Sequence, residues 1–236
     1  MPAINQLRLS IIIPALNEAL HIIATLKPLQ KIRQAGHEII LCDGGSTDNT
    51  VSLSEDLVDH CISSKPGRAR QMNAGAQHAS GDILCFLHAD TLAPESIDQL
   101  IIQSLNQSGK LWGRFDIQLS GKQSVFRIIE RLINLRSCIS SIATGDQGIF
   151  IYRPVFHKLF GFADIPLMED IELSGRLRKI SRASCIHKHK LITSSRRWEQ
   201  NGIISTVVLM WQLRLRYFLG TPARVLAQAY RNSAIK

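Results

Sequence analysis

Short apolar runs alternate with helix-like segments along the first hundred residues. Four runs have the length of buried strands, at residues 7–13, 37–42, 57–62 and 83–87. Pro14 is expected to end the first strand, and Asn17 to cap a helix that runs to about Gln34 with a bend near Pro28. This alternation predicts an α/β fold with a Rossmann-like, mostly parallel sheet and helices on both of its faces.

The C-terminal part has a different pattern. Residues 202–219 read as an amphipathic helix, with one face formed by Ile203, Ile204, Val207, Val208, Trp211, Leu215 and Phe218. Packing of this face against the core is the favoured interpretation, and a membrane-surface patch is the alternative. We therefore predict one domain over residues 1–200 and a C-terminal helical extension over residues 201–236, which packs on that domain or on a membrane surface.

The net charge of +9 is unevenly distributed. Residues 1–109 contain 7 Lys/Arg and 11 Asp/Glu, whereas residues 110–236 contain 21 and 8. Such a basic surface suits phosphate or an anionic membrane. Nucleic acid is not expected as a partner, because the aromatic residues are not interleaved with the basic clusters and no recognition motif is present.

Cysteine usage and hydropathy bear on the compartment. The five cysteines are scattered and include no C-x-x-C pair, which favours free thiols in a reducing environment. Neither a secretory signal nor an apolar run of membrane-spanning length is found. The expected location is cytoplasmic, with peripheral contact at the inner face of the cell membrane as an option.

Polar residues follow three of the predicted strands. The first strand leads into Pro14-Ala15-Leu16-Asn17-Glu18, the second ends at Asp43, and the fourth leads into His88-Ala89-Asp90. Ligands of parallel α/β sheets bind beyond the carboxyl ends of the strands. One such residue alone is more often a cap or a turn, but together they predict a crevice around Asp43, His88 and Asp90. The first turn has no G-x-G-x-x-G, and no Walker A motif is present, which excludes dinucleotide and P-loop sites.

Five segments, in order, resemble family 2 glycosyltransferases of the GT-A fold. These are SIIIPALNE, LCDGGSTDNT, GDILCFLHAD, LMEDIELSGRL and SSRRW, spanning about residues 8 to 198. The pieces GRARQMNAGA and TGDQGIF are most similar to a small bacterial subgroup that is described only as glycosyltransferase-like. The resemblance implies inverting transfer of a sugar from a nucleotide sugar, UDP-linked in our interpretation, to a hydroxyl acceptor that is a small molecule or a lipid.

The resemblance implies roles for the residues of the donor side. Asp43 would accept a hydrogen bond from the imide N–H of uracil, although an Asx turn is the alternative. Asp90 would ligate Mg²⁺ or Mn²⁺, and His88, which replaces the first Asp of the D-x-D motif, is either a second ligand or a satisfied strand-end histidine. The expected donor-binding residues are Pro14, Ala15, Leu16, Glu18, Asp43, Arg68, Arg70 and Ala89.

The catalytic and acceptor roles follow from the same resemblance. Asp170 would be the general base, with Glu169 beside it, although acids at a helix start also favour the helix dipole. Asp146, Arg197 and Trp198 are expected on the acceptor or diphosphate side. Ser194 replaces the Gln of the Q-x-x-R-W motif, which argues against processive polymerisation.

Two other functions remain as alternatives. A nucleotidyltransferase would require a glycine-rich basic loop after the first strand, and the turn Pro14-Ala15-Leu16 lacks one. A non-catalytic, membrane-associated nucleotide-sugar binder would not need the intact Glu169-Asp170 pair.

Overall fold

Eight strands form one curled sheet in the computed structural model, which describes residues 7–232 and, for Arg197, the backbone alone. The spatial order of the strands is β3-β2-β1-β4-β7-β6-β8-β5. The strands are β1 Leu9–Ala15, β2 Glu38–Asp43, β3 His60–Ser63, β4 Ile83–Phe86, β5 Thr91–Leu92, β6 Trp112–Leu119, β7 Phe150–Tyr152 and β8 Ser184–Thr193. The α-helices are α1 Ile22–Leu26, α2 Gln30–Gln34, α3 Thr50–Ser54, α4 Arg68–His78, α5 Ile97–Ser108, α6 Ser124–Ser140, α7 Arg153–Lys158, α8 Glu169–Leu177, α9 Arg196–Asn201, α10 Ile203–Phe218 and α11 Ala223–Asn232.

The sheet has a parallel half and a mixed half. Strands β3, β2, β1 and β4 are parallel, and β1 lies between β2 and β4. In the other half, β7 is antiparallel to both β4 and β6, β8 is parallel to β6, and β5 is antiparallel to β8. The predicted α/β fold is confirmed, and the carboxyl ends of β2, β1 and β4 are neighbours, as the sequence predicted.

Both faces of the parallel half are covered by helices, because its strands alternate their side chains between two apolar clusters. Ile11 and Ile13 of β1 lie in a cluster with residues of α1 and α5. Ile12, between them, lies in a second cluster with Met72 of α4 and Leu173 of α8. Both faces of such a strand are buried, so it reads as a continuous apolar run.

Two predictions about the first βα unit are wrong. Strand β1 continues through Pro14 to Ala15, because β4 pairs with β1 only as far as Ile12 and Pro14 needs no N–H on that side. Asn17 does not cap the first helix, which begins at Ile22; Asn17 instead adopts a left-handed conformation with φ 57°. The bend near Pro28 is confirmed as a 3₁₀ turn between α1 and α2.

The C-terminal helices join the rest of the molecule through a small apolar cluster. Leu213 of α10 and Leu226 of α11 pack with Met168 and Ile171. Core packing of the predicted α10 face is wrong for five of its residues, which are exposed: Ile204, Val208, Trp211, Leu215 and Phe218. Of the predicted face, Ile203 and Val207 do pack, against a cluster with Phe126, and Leu213 packs from another side of the helix. The division near residue 200 remains a prediction.

Helix α6 also exposes an apolar stripe, formed by Val125, Ile128, Leu132, Leu135 and Ile139. Its opposite side contributes Phe126 and Ile129 to a cluster that includes Val207 of α10. The two exposed stripes therefore belong to neighbouring helices. Within residues 7–232, no helix has both the length and the hydropathy needed to span a membrane.

Candidate functional site

The ends of β1 and β2 fix the backbone on one side of the crevice. Ala15 and Asp43 are register partners, and the N–H of Gly44 donates to the Ala15 carbonyl at 2.9 Å. The buried side-chain amide of Gln71, from α4, donates to the carbonyls of Ala15 and Cys42 at 2.7 and 2.8 Å. Since these carbonyls are satisfied from within the protein, the strand ends form a rigid floor.

The Asp43 carboxylate is held by its own loop. It is largely buried and accepts hydrogen bonds from the N–H groups of Gly45 at 2.9 Å and Ser46 at 3.0 Å. The Asx turn considered from the sequence is therefore present. A carboxylate has about four lone-pair sites, so these two donors orient it without exhausting it. Recognition of a base by Asp43 remains a prediction.

The loops after β1 and β2 are tied together. The N–H of Asn17 donates to Oγ of Ser46 at 2.9 Å, and the N–H of Thr47 donates to Oδ1 of Asn17 at 2.8 Å. The N–H of Glu18 donates to Oγ1 of Thr50 at 2.8 Å. The left-handed backbone of Asn17 thus belongs to a brace between the two loops, where an Asn is tolerated better than most residues.

Two carboxylates share the space beyond β1 and β4. Burial, and then the charge of Asp90, raise the pKa of Glu18, while nearby Arg196 and Arg68 oppose this shift. Between Asp90 and His88, Ala89 is buried and its carbonyl accepts a hydrogen bond from Oγ1 of Thr25 at 2.7 Å. Two acids within electrostatic range of each other, beside an anchored backbone, form a region where a cation is stabilised.

His88 lies against the loop that precedes β7. Burial, with a contribution from the charge of Arg68, lowers the pKa of its imidazole to about 3, so the ring is neutral. A Cβ placed on Gly145 would be 2.7 Å from Nε2 of His88 and 3.7 Å from Oδ2 of Asp170. Because both distances start from the same point, Gly145 leaves just enough room for His88 and Asp170 to lie close to one backbone segment.

Asp170, at the start of α8, accepts hydrogen bonds from two backbone N–H groups. Its Oδ2 accepts from Gly145 and its Oδ1 from Ile171, both at 2.7 Å. Met168, which precedes the acidic pair, has φ 70°, an uncommon conformation for a residue other than glycine. Burial, and then the charge of Asp170, raise the pKa of the neighbouring Glu169 to about 7. Acids with such shifts are enriched at active sites.

Asp146 lies near the same pair. Burial raises the pKa of its carboxyl group, a hydrogen bond from Thr144 opposes this, and the charge of Asp170 adds to it. Arg214 and Arg136 are close enough to lower it in turn. Among the residues described, Oδ1 of Asp146 is buried without a hydrogen-bond partner. Asp146 thus lies between the predicted base and two arginines of α6 and α10.

The comparisons with known proteins agree with this architecture. The sequence profile of Glycosyl transferase family 2 matches residues 10–155. A poly-beta-1,6-N-acetyl-D-glucosamine synthase of Staphylococcus aureus (strain COL) is 23% identical over 206 residues, which cover 85% of this chain and 44% of the synthase. The chain belongs to glycosyl transferase family 2. It spans less than half the length of this curated relative.

Solved structures with the same fold are glycosyltransferases of low sequence identity. TarS of S. aureus, in complex with UDP-GlcNAc, has a TM-score of 0.63 and 14% identity, with 79% of this chain and 58% of that chain covered. Glucosyl-3-phosphoglycerate synthase of Mycobacterium tuberculosis, in complex with Mn²⁺, UDP and phosphoglyceric acid, has a TM-score of 0.59 and 18% identity, with 77% and 68% covered. The GT-A fold and family predicted from the sequence are thereby confirmed.

The two arginines predicted to bind the donor, Arg68 and Arg70, differ in whether another side chain pairs with them. Arg68 is exposed at the start of α4, near Glu18, His88 and Glu169 in electrostatic terms. Arg70 is also exposed but forms an ion pair with Asp164 at 2.8 Å.

The structure describes the side chain of Trp198 but only the backbone of Arg197. The Trp198 ring is partly buried and packs with Phe126, Ile203 and their neighbours, which gives it a packing role. The Arg197 side chain lies outside the described part of the chain. Roles for both residues in binding acceptor or diphosphate remain predictions.

The sequence interpretation missed Arg196, Gln71 and the arginines of α6 and α10. Arg196 adjoins the predicted Arg197, and its Nη1 lies 2.8 Å from Nε2 of His21. Which of two adjacent arginines faces the site depends on the rotation of α9, which the sequence does not fix. Gln71 was visible within the quoted GRARQMNAGA segment, but only the fold shows that its amide reaches the ends of β1 and β2.

Proposed function

We propose that the chain transfers a sugar from a UDP-linked nucleotide sugar to a hydroxyl group of an acceptor, with inversion at the anomeric carbon. The observation that supports this proposal is that Asp170 and His88 both lie against Gly145, while Glu18 and Asp90 lie within electrostatic range of each other. Such a transfer requires a base, a region that holds a cation against the leaving diphosphate, and well-positioned loops that bind the nucleotide.

The donor would bind along the ends of β1, β2 and β4. Asp43 meets the uracil imide with its remaining lone pairs, and Pro14, Ala15 and Leu16 line the nucleoside. Arg68 is exposed at the start of α4 and is available for the diphosphate, whereas Arg70 would first have to leave Asp164. The UDP and UDP-GlcNAc complexes of structural neighbours support a nucleotide-sugar donor.

The residues at the end of β4 fit a divalent cation. Asp90 offers a carboxylate, and His88 offers a neutral imidazole, the form that ligates metals. Two protein ligands suffice when donor phosphates complete the coordination, as is usual for Mg²⁺ and Mn²⁺. Among residues 7–232, the one group of three side chains spaced for a metal is Cys138, Cys185 and His187, which is not part of this site. A bound divalent cation would neutralise charge that builds up on the leaving diphosphate.

Asp170 would take the proton from the acceptor hydroxyl as its oxygen attacks the anomeric carbon. The bond from that carbon to the nucleoside diphosphate breaks in the same step. Two N–H donors hold the carboxylate in place. Glu169, whose pKa is about 7 because of burial and the charge of Asp170, limits the negative charge beside the base at neutral pH.

We also propose that the exposed stripes of α6 and α10 contact a membrane, which would suit a lipid or isoprenoid-type acceptor. Ten large apolar side chains are exposed on these two helices. Rows of large apolar side chains that stay exposed on soluble proteins often mark interaction sites. No acidic residue occurs after Glu199, so the charges around α10 and α11 favour an anionic surface. Peripheral contact at the inner face of the cell membrane would follow.

The test is calorimetric titration of UDP and UDP-sugars with and without Mn²⁺. We expect metal-dependent binding that is lost in Asp43→Ala and Asp90→Ala. Absence of binding to any nucleoside diphosphate would overturn the proposal.

The non-catalytic alternative is tested with Asp170→Asn. We expect this variant to bind the donor with unchanged affinity and to lose turnover by about 10²–10⁴-fold. Retained turnover would remove Asp170 from the role of base.

A further inference from the structure

A groove with three arginines opens beside the start of α8. Its lining includes a basic side and an apolar side, formed by Arg136, Arg178 and Arg214 and by Ile142, Ile171 and Phe218, respectively. The groove contains about 480 Å³ of empty space, including the part that is open to solvent. We refer to this feature as the arginine groove. Helix α6, the end of α8 and α10 form its basic side, and none of them carries a residue of the proposed nucleotide loop.

Two nitrogens of the Arg136 guanidinium group have no hydrogen-bond partner among residues 7–232. These atoms, Nε and Nη2, are buried. Burial, followed by the nearby charge of Arg214, lowers the pKa of Arg136 to about 10. More than about 90% of buried polar groups in proteins are hydrogen-bonded, so two unpaired donors on one side chain require an explanation.

The nearest acids do not provide that explanation. The charges of Asp146 and Asp170 favour the protonated form of Arg136, but no hydrogen bond or ion pair links either acid to it among residues 7–232. Arg178 and Arg214 likewise form no ion pair within the described residues. The groove therefore carries an excess of positive charge that faces empty space.

We infer that the arginine groove binds a phosphate group of the acceptor substrate. Three arginines match a doubly charged phosphate monoester, because each guanidinium can donate two parallel hydrogen bonds to its oxygens. The side with Ile142, Ile171 and Phe218 would cover the carbon skeleton next to that phosphate.

The position of the groove connects this ligand to the reaction. Ile171, which lines the groove, directly follows Asp170, and Arg136 lies within electrostatic range of that carboxylate. A phosphate held there would place a hydroxyl of the same molecule near the base. This inference rests on the proposed function, since it names the class of acceptor for the same site.

The first experiment is titration of phenyl phosphate into the full chain, with and without saturating UDP and Mn²⁺. We expect Arg136→Met and Arg214→Met each to weaken its binding by about ten-fold or more, because each removes a charged hydrogen-bond donor. Arg216→Met is the matched control, because Arg216 is exposed on the same helix and does not line the groove. Wild-type affinity for UDP in the variants verifies that they are folded. Arg214→Lys keeps the charge but loses the paired donors of the guanidinium group, so it should weaken phenyl phosphate binding less than Arg214→Met does.

The second experiment identifies the source of the phosphate. Vesicles of phosphatidylcholine with and without phosphatidic acid are compared with soluble phenyl phosphate. Binding to phosphatidic acid that Arg136→Met abolishes would support a lipid phosphate, and arginine-dependent binding of phenyl phosphate alone would support a soluble acceptor. The inference is overturned if UDP binds normally while neither probe binds, or if Arg216→Met weakens binding as much as Arg214→Met. Failure of UDP to bind would instead refute the proposed donor site, and the titration without UDP would still test the groove.

Discussion

Replacement of Gly145 by alanine tests how closely His88 and Asp170 depend on the segment between them. The added Cβ would lie 2.7 Å from Nε2 of His88, a separation that real Cβ contacts essentially never show. Gly145 is not among the residues with positive φ, so the backbone itself accepts alanine. Reaching an ordinary contact of 3.4 Å requires a shift of about 0.7 Å by the ring or by the loop.

That shift would have a large effect on turnover and a smaller one on stability. The N–H of Gly145 donates to Oδ2 of Asp170, so movement of the loop also moves the proposed base. A misplacement of about 1 Å can reduce the rate about 100-fold, so we expect a loss of about 10–100-fold, or about 1.4–2.7 kcal/mol of transition-state stabilisation. Overpacking at a site of this kind costs about 1–3 kcal/mol of folding stability.

The assay compares turnover and thermal unfolding of Gly145→Ala with those of Gly175→Ala. Gly175 lies within α8, and a Cβ there would meet nothing within 4 Å. Alanine at this helical position should raise the free energy of unfolding by about 0.5–1 kcal/mol and leave turnover unchanged. Wild-type turnover and donor affinity in Gly145→Ala would refute the assigned geometry, because the clash would then have been absorbed without moving either functional side chain.

Three further predictions concern charge and surface. Burial alone would raise the pKa of the Glu38 carboxyl group, but hydrogen bonds from Ser10, Ser80 and Gly81 lower it below the unfolded value of about 4.5. The ionised carboxylate therefore stabilises the fold above pH 4.5, and this stabilisation is lost as the pH falls through the lower pKa of the folded state. Glu38→Gln should therefore lower the free energy of unfolding by about 1–3 kcal/mol at pH 7. In unfolding curves measured at acid pH, the difference from wild type should shrink, and an equal difference at pH 3 would contradict the prediction. The pKa of Glu169 is raised from 4.5 to about 7, so its penalty on stability is absent below pH 4.5, grows as the pH rises and is complete above pH 7. Glu169→Gln should consequently be more stable than wild type at pH 8, by about 1–3 kcal/mol, and should converge with it near pH 4; identical pH profiles for the two proteins would rule out the shift. Ile128→Ser combined with Trp211→Ser should reduce sedimentation with anionic vesicles by about ten-fold or more, whereas Phe160→Ser, which alters a still more exposed ring on another segment, should not. Equal losses would argue against a specific membrane face.

The parallel half of the sheet was predictable because local pattern and topology agree there. Buried runs of strand length and the polar residues that end them placed Asp43, His88 and Asp90 at neighbouring strand ends, and β2, β1 and β4 are indeed adjacent. Helix boundaries were less accurate, since the hydrogen bonds of Asn17 to Ser46 and Thr47 depend on a loop distant in sequence.

The mixed half could not be derived from the same signals. Strands β6 and β8 pair in parallel across about seventy residues, with a register shift between Phe115 and Ile117, and no local signal specifies that pairing. The amphipathic pattern of α10 correctly predicted a helix, but only Ile203 and Val207 of the predicted face pack, and its other five residues are exposed. An apolar stripe identifies a face that is favourable to bury, but it does not say whether the core or another surface covers that face.

The contrast between the two halves of the sheet has an evolutionary consequence. The ends of β1 and β2, where we propose that the nucleotide binds, are fixed by β-ladder register and by buried carbonyl contacts, so substitutions there would disturb several contacts at once. The arginine groove is built instead from helix side chains at the edge of the molecule, where single replacements leave the sheet intact. On the proposed function, acceptor preference can therefore diversify among descendants of such a chain while the proposed binding of the nucleotide sugar is inherited unchanged.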